Sequence, residues 1–455
     1  METHGLGMTQ SLLKDIVFHM IEELNMVFLM DLKTGKMYTL PVYFYNDLIQ
    51  MRNGSIEDRN INEELYAFLV KNDMVYGENK NICVKSIHPE NISLFMNYIL
   101  KHIVNNNINP KSAIYATWNI TERCESKCIY CSNSNIDSSL SELTVEKKIE
   151  LVDVLVKNDI KHIKLLGGEP TIAKNFVEIL DYMLYRGVYV SISSNGQGVS
   201  EQVIDVLRKY SPHMYYISIS LDSNDEILND AQRGIGSYKI ATRAIAMLSE
   251  IREMVFGVNS VVTPITASSI YSTYIYAKNN GVGIFNMTPV LRYGSAAKDD
   301  MILIPDEELR VNIRRIQYDA ENSKYIKIGN IAFELNDKFS INNNKIISDD
   351  VSNILFRMKC NAGIVRMHID SQGGVYPCDF LRFPEFYMGN LLSEQFDNVW
   401  NNSVLKKIRF MKREDKKECR KCNIKSCTTG CMGIAYCKYS SIYRKDPGCN
   451  LKCIH

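Results

Sequence analysis

The 455-residue chain carries almost no net charge, with 53 basic against 52 acidic side chains. It therefore has no global positive field to hold a polyanion, and a nucleic-acid partner is not expected. It lacks any unbroken run of about 18 apolar residues, so neither a membrane-spanning helix nor a membrane partner is expected. Its opening residues, METHGLGMTQ, contain neither a basic segment nor an apolar stretch behind one, so no secretory signal is read. A cytoplasmic location is the expectation that follows. Cysteine, by contrast, is plentiful at 13 residues. In a reducing compartment clustered thiols bind metal more often than one another. The length suits two or three domains with a buried core.

The cysteines are unevenly placed. Cys83 stands alone and reads as a small buried apolar residue. Cys124, Cys128 and Cys131 form a tight group, and Cys360, Cys378, Cys419, Cys422, Cys427, Cys431, Cys437, Cys449 and Cys453 crowd the last fifth. Charge is uneven too: residues 1–90 hold 8 basic and 13 acidic side chains, residues 356–455 hold 18 and 9. A four-iron cluster on four thiolates carries about −2, so a cationic tail suits one or two clusters. A solvated basic face explains the same excess.

Residues 1–95 read as a small α+β unit. MVFLM (26–30) and KMYTL (36–40) flank DLKTG, a hairpin pattern with glycine in the turn. Helical spacing follows at Leu65, Phe68 and Leu69, then a strand-like Met74–Tyr76. An Asn-rich linker over 96–112 ends at Pro110. From 113 to 300, β-rich runs at 113–119, 162–166, 188–193, 215–221, 255–263 and 282–287 alternate with amphipathic helices. One helix starts at the N-cap Thr144 with Ile149, Val152 and Val156 on its inner face. Another spans 174–185 with Phe176, Leu180 and Leu184 inward and Gly187 beyond its end. Six strand–helix units predict an α/β fold with a parallel sheet, an open or closed barrel. In such sheets ligands bind at the carboxyl ends of strands. Residues 301–355 read as a bridge of helix and Asn-rich loop (Asn342–Asn344). Over 356–455 short turns dominate, and metal is expected to stand in for a large core.

The chemistry lies at the strand ends. Cys124-x3-Cys128-x2-Cys131 follows the first barrel strand, with Ser132, Asn133 and Ser134 next to it. Three thiolates can wrap a cubane and leave one iron without a protein ligand. An incomplete zinc site is the other reading of this triad. The second strand ends in Gly167-Gly168-Glu169-Pro170, where glycine lets a ligand approach the backbone and Glu169 can accept from an ammonium. The third ends Ser193-Ser194-Asn195-Gly196 and the fourth Ser220-Leu221-Asp222. Short polar side chains there suit the hydroxyls and carboxylate of a nucleoside, or ordinary strand-to-helix turns.

The triad, with aromatic Tyr130 before its last cysteine, followed by GGEP, resembles the radical SAM superfamily over roughly 113–290. The resemblance implies a partial (β/α)6 barrel whose Cys124, Cys128 and Cys131 hold a 4Fe–4S cluster. The open iron would chelate S-adenosylmethionine, and Tyr130 and Gly167 would belong to the same site. Gly168 and Glu169 would contact its ammonium, Ser193 and Asn195 its ribose, and Ser220 and Arg243 its carboxylate. Reductive cleavage, fed by a donor such as flavodoxin or ferredoxin, would yield a 5′-deoxyadenosyl radical.

The tail resembles the SPASM extension of that superfamily, which binds two auxiliary 4Fe–4S clusters. Cys360, Gly373-x4-Cys378, Cys419-x2-Cys422-x4-Cys427-x3-Cys431 and Cys449 match its pattern, one spacer being a residue short. By that resemblance Cys360, Cys378 and Cys431 bind the inner cluster, and Cys419, Cys422, Cys427 and Cys449 the outer one. Either Cys437 or Cys453 could complete the inner site, or it could stay open. The first 95 residues resemble the winged-helix-like peptide-recognition module of ribosomal-peptide maturases, related to the pyrroloquinoline-quinone chaperone. Such a module binds a leader peptide by strand addition; a cap that only shields the barrel is the other reading. Together these resemblances imply a radical SAM maturase that installs a carbon–carbon, ether or thioether crosslink in a precursor peptide, with an auxiliary cluster accepting the leftover electron. A maturase of protein side chains, of the anaerobic sulfatase-activating type, and a zinc-stabilised scaffold without catalysis are the competing readings.

Overall fold

The computed structural model describes residues 16–21, 24–31, 35–52, 62–72, 74–75, 95, 98–100, 102–103, 108–134, 141–160, 162–210, 214–251, 254–297, 307–331, 360–409, 411, 413–420 and 430–447. Several sequence expectations lie outside these residues: Cys83, Cys422, Cys427, Cys449, Cys453, Tyr76, Asn105–Asn107 and Asn342–Asn344.

The predicted hairpin forms. β2 (Met26–Asp31) and β3 (Met37–Pro41) pair antiparallel, with Gly35 at φ 71° in the turn. The sequence reading missed a further strand, β1 (Ile16–Ile21), which pairs with β2 to give the order β1-β2-β3. The alternation along β1 and β2 buries both faces of this small sheet. Phe18, Val27 and Leu29 pack with Leu48 and Met51 of α1 (Tyr45–Arg52) and Leu65 and Leu69 of α2 (Glu63–Lys71). Val17, Ile21, Phe28 and Met30 instead join the large core that also holds Leu155, Ile160 and Ile163. The unit is thus built onto the barrel rather than tethered beside it. Asn62 caps α2 by accepting from the amides of Glu64 and Leu65.

The six expected strands are all present: β4 (Tyr115–Thr121), β5 (His162–Gly167), β6 (Tyr189–Ser194), β7 (Tyr215–Ser220), β8 (Gly257–Val262) and β9 (Ile284–Pro289). They pair parallel in chain order. The intervening helices are α3 (Val145–Lys157), α4 (Phe176–Tyr185), α5 (Glu201–Lys209), α6 (Glu226–Arg233), α7 (Ser237–Ser249) and α8 (Ile270–Asn279). α9 (Glu307–Asn322) leads to a seventh parallel strand, β10 (Lys327–Ile331), that the sequence reading left in the bridge. Thr144 caps α3 as expected, but its buried face is Leu151, Val152 and Leu155, with Ile149 and Val156 only half-buried. The α4 face is as predicted, and Gly187 adopts φ 70° behind it.

The sheet does not stop at β4. β11 (Arg366–Ile369) pairs parallel to β4 on the side away from β5, and β12 (Gly374–Tyr376) and β13 (Gly389–Asn390) extend it antiparallel. The ten strands run β10-β9-β8-β7-β6-β5-β4-β11-β12-β13. The sequence reading had metal replacing a core in this tail. In fact Met367, Ile369, Val375, Phe396, Val399 and Trp400 belong to the main core, with α10 (Phe396–Trp400) and α11 (Ser403–Arg409) packed below. A second apolar cluster around Cys378, Leu381, Phe386 and Met432 of α12 (Met432–Tyr439) stands apart. Among the described residues no helix is long and apolar enough to cross a membrane.

Candidate active site at the carboxyl ends of the strands

The loop after β4 carries the cysteine triad, with Cys124 exposed and Cys128 and Cys131 half-buried. It has no regular structure of its own and is held from three sides. The amides of Lys127 and Ile129 donate to the last carbonyls of α6, Arg233 (3.2 Å) and Gln232 (3.1 Å). Ser295, in the loop after β9, donates its amide to the Cys131 carbonyl at 3.0 Å. Asn133 Nδ2 donates to the Gly167 carbonyl at 2.6 Å. Burial pushes the Cys124 thiol up to about 11 and raises Cys128 too, so both stay protonated until a cation compensates the charge. Three sulfur donors with no fourth beside them suit a cubane that leaves one iron to an outside ligand. Among the described residues, no three His, Cys, Asp or Glu side chains converge closely enough to hold a single ion.

The GGEP turn packs closely against the segment that leads into the triad. A Cβ on Gly168 would stand 2.1 Å from the Arg123 carbonyl oxygen, and one on Gly167 2.1 Å from that of Thr121. The glycines admit the chain's own backbone, the segment that leads into the triad. The amides of Gly168 and Glu169 donate to those same two carbonyls at 2.9 and 2.7 Å. Glu169 is buried and its carboxylate is committed within the chain. It accepts from the Thr171 amide (3.0 Å) and hydroxyl (2.5 Å), the Ser194 hydroxyl (2.6 Å) and the Asn195 amide (2.6 Å). This side chain fastens the end of β6 to the end of β5. Burial raises its pKa despite those donors.

Asn195 does reach the triad. Its Nδ2 donates to Ser126 Oγ at 2.8 Å and lies 3.9 Å from Cys124 Sγ. Ser193 and Ser220 sit half-buried at the ends of β6 and β7. Arg243 is exposed on α7, where its Nη2 donates to the carbonyls of Gln197 (3.3 Å) and Val199 (3.4 Å). Tyr130 is held by its hydroxyl, which donates to Asp222 Oδ2 at 2.6 Å and receives from Arg233 Nη1. Asp222, offered by the sequence as a nucleoside contact, is fully buried beneath that phenol. Arg233 and Gln232, the other members of this knot, carried no sequence signal.

In the tail, Cys360, Cys378 and Cys431 lie close enough for the charge of each to act on its neighbours, Cys378 being flanked by both others. Burial pushes the Cys378 thiol well up and Cys431 to about 11. Arg366 and Lys416 act in the opposite sense on Cys360. Cys437, on α12, is half-buried, and Tyr293 lies near both Cys437 and Cys378. Cys419 is buried in a separate turn.

A model of the radical SAM superfamily matches residues 118–271, the span from β4 into α8. The chain carries a radical SAM domain there. A second model, the SPASM iron–sulfur cluster-binding domain, matches residues 360–423. Among characterised relatives, the mycofactocin maturase MftC of Mycobacterium tuberculosis is 28% identical over 74% of this radical SAM chain and 82% of its own length. The antilisterial bacteriocin subtilosin biosynthesis protein AlbA of Bacillus subtilis is 24% identical over 65% of this chain and 61% of its own. Streptococcus suis SuiB, in its S-adenosylmethionine-bound crystal structure, superposes with a TM-score of 0.67 at 18% identity. It covers 97% of this chain and all of its own, so the fold is shared end to end. SuiB has also been solved with its precursor peptide SuiA, with a TM-score of 0.66.

Proposed function

We propose that this radical SAM enzyme matures a ribosomally made precursor peptide by installing an intrapeptide crosslink. Cys124, Cys128 and Cys131 hold the 4Fe–4S cluster, and Asn195, Ser193 and Ser220 line the S-adenosylmethionine site beside it. Bound there, the cluster and S-adenosylmethionine would supply a 5′-deoxyadenosyl radical able to take hydrogen from unactivated carbon. The chain's own work is to fix the ligand loop, orient the nucleoside and exclude water around the radical. The observation that carries this reading is the triad itself: three thiols, with no fourth donor beside them among the described residues, at the carboxyl ends of parallel strands.

The SPASM tail holds two auxiliary clusters, the inner on Cys360, Cys378 and Cys431, with Cys437 close by as a fourth ligand. The outer is assigned to Cys419, Cys422, Cys427 and Cys449. The β1–β3 unit grips the leader: β3 pairs with β2 alone among the described residues, which leaves its other edge for an added strand. A flavodoxin- or ferredoxin-type protein supplies the electron in the cytoplasm. The relatives MftC and AlbA, both named for peptide products, support this reading over sulfatase-type maturation.

Oxygen-free protein should be brown, with about twelve irons per chain, and should release 5′-deoxyadenosine from S-adenosylmethionine. Cys128→Ala should stop that release while keeping the tail iron. Unchanged release by this variant, or about four irons beside zinc, defeats the assignment. A short peptide encoded beside the gene should lose two hydrogens on incubation, read by mass spectrometry.

A further inference from the structure

Beneath the triad lies a buried charge pair that no sequence motif announced. Asp222, at the end of β7, is completely enclosed, and Arg233, the last residue of α6, is 6% exposed. Asp222 Oδ2 accepts from the Tyr130 hydroxyl (2.6 Å), Gln232 Nε2 (2.7 Å) and Arg233 Nη1 (3.4 Å), and Oδ1 from the Val261 amide (2.9 Å). Arg233 also donates to the Tyr130 hydroxyl. Its Nη1 is thereby committed within the chain.

The same residue touches the ligand loop at two further points. Its carbonyl accepts from the Lys127 amide at 3.2 Å and stands 3.9 Å from Cys128 Sγ. Its positive charge acts on that sulfur more strongly than the negative charge of Asp222 does. An arginine guanidinium keeps its proton inside a protein, so the charge at this position is fixed. A fixed positive charge beside a cluster sulfur favours the more negative, reduced state of the cluster.

We propose that Arg233 is a positioning residue for the cluster on Cys124, Cys128 and Cys131. Its carbonyl fixes the ligand loop. Its guanidinium, steered by Asp222 and Tyr130, holds a positive charge beside Cys128 that raises the reduction potential of the centre. The inference rests on the reading that this triad binds a 4Fe–4S cluster.

The test is a redox titration of the anaerobic full-length holoenzyme followed by electron paramagnetic resonance. The relevant signal is the component missing from Cys128→Ala. Arg233→Gln should lower the midpoint, cutting the reduced-to-oxidised ratio at a fixed potential about tenfold, which is about 59 mV for one electron. Asp222→Asn should move it the opposite way, because the arginine loses its counter-charge. Arg233→Lys, which keeps the charge, should stay near the parent. Midpoints that do not move, or that fall together in Arg233→Gln and Asp222→Asn as loop disorder alone would cause, overturn the proposal. Should Arg233→Gln fail to take up iron, the sign of the Asp222→Asn shift decides. If the parent shows no Cys128-dependent signal at all, the cluster assignment itself fails, and this inference with it.

Discussion

Arg382 of the tail and Glu122 at the end of β4, 260 residues apart, form a buried ion pair. Asn119 donates to the other Glu122 oxygen at 3.1 Å. Glu122 lies two residues before Cys124 and Arg382 four after Cys378, so this contact welds the entry to the radical SAM loop onto the auxiliary-cluster loop. The side chains are 1% and 10% exposed, which makes the loss of one partner costly. Glu122→Gln or Arg382→Gln alone should destabilise the fold by about 3–5 kcal/mol in denaturant titration, because each leaves an uncompensated buried charge. The double variant should recover most of that loss. Equal losses in the single and double variants would show that the pair is not coupled.

Gly168→Ala places a methyl group into the Arg123 carbonyl, backbone against backbone, which no rotamer can relieve. The expected result is loss of about four irons per chain with the tail iron kept. Iron analysis combined with 5′-deoxyadenosine release reads this out.

Cutting away residues 1–107 should do more than remove a peptide grip. Val17, Ile21, Phe28, Met30, Phe95 and Ile99 are part of the barrel's own core, and their removal uncovers Leu155 and Ile160. Burying one such side chain is worth about 1.5–3 kcal/mol. The truncated chain should therefore show a clearly lower melting temperature or precipitate, rather than behave as an intact barrel without a handle. Differential scanning calorimetry distinguishes these outcomes.

His162, buried at the start of β5 between Tyr115 and Tyr189, bonds Ser191 Oγ at 2.7 Å. Burial, with Lys164 nearby, lowers its pKa from 6.5 to about 3. The unfolded chain then binds a proton that the native chain refuses, so stability is held above pH 6.5 and falls as the pH drops toward 3. The slope from this one group is about 1.4 kcal/mol per pH unit. His162→Gln should flatten the acid limb of a stability–pH curve by that amount, leaving the share of the second buried histidine, His368, whose value is also about 3. An unchanged slope would mean that His162 is charged in the native state.

The strand–helix alternation, the hairpin with Gly35, the Thr144 cap and the cysteine spacings were legible because each is a local rule. A period, a cap or a turn needs only its near neighbours. β1 escaped because its strand character shows only once β2 lies beside it. β10 and β11 escaped because pairing with β9 and β4, 43 and 251 residues earlier, leaves no mark on either segment.

The GGEP turn marks the same boundary at the site. Two glycines and a glutamate identify the place, yet what they do depends on which backbone crosses them, here Thr121 and Arg123. The sequence alone settled which residues carry sulfur, how they are spaced and where strands and helices alternate, since spacing and period are properties of a line. Which charges lie beneath those sulfurs, and that the two iron–sulfur regions share one sheet, were decided only in three dimensions. Asp222, Arg233, Glu122 and Arg382 meet their partners through burial, and burial exists only after the chain has closed on itself.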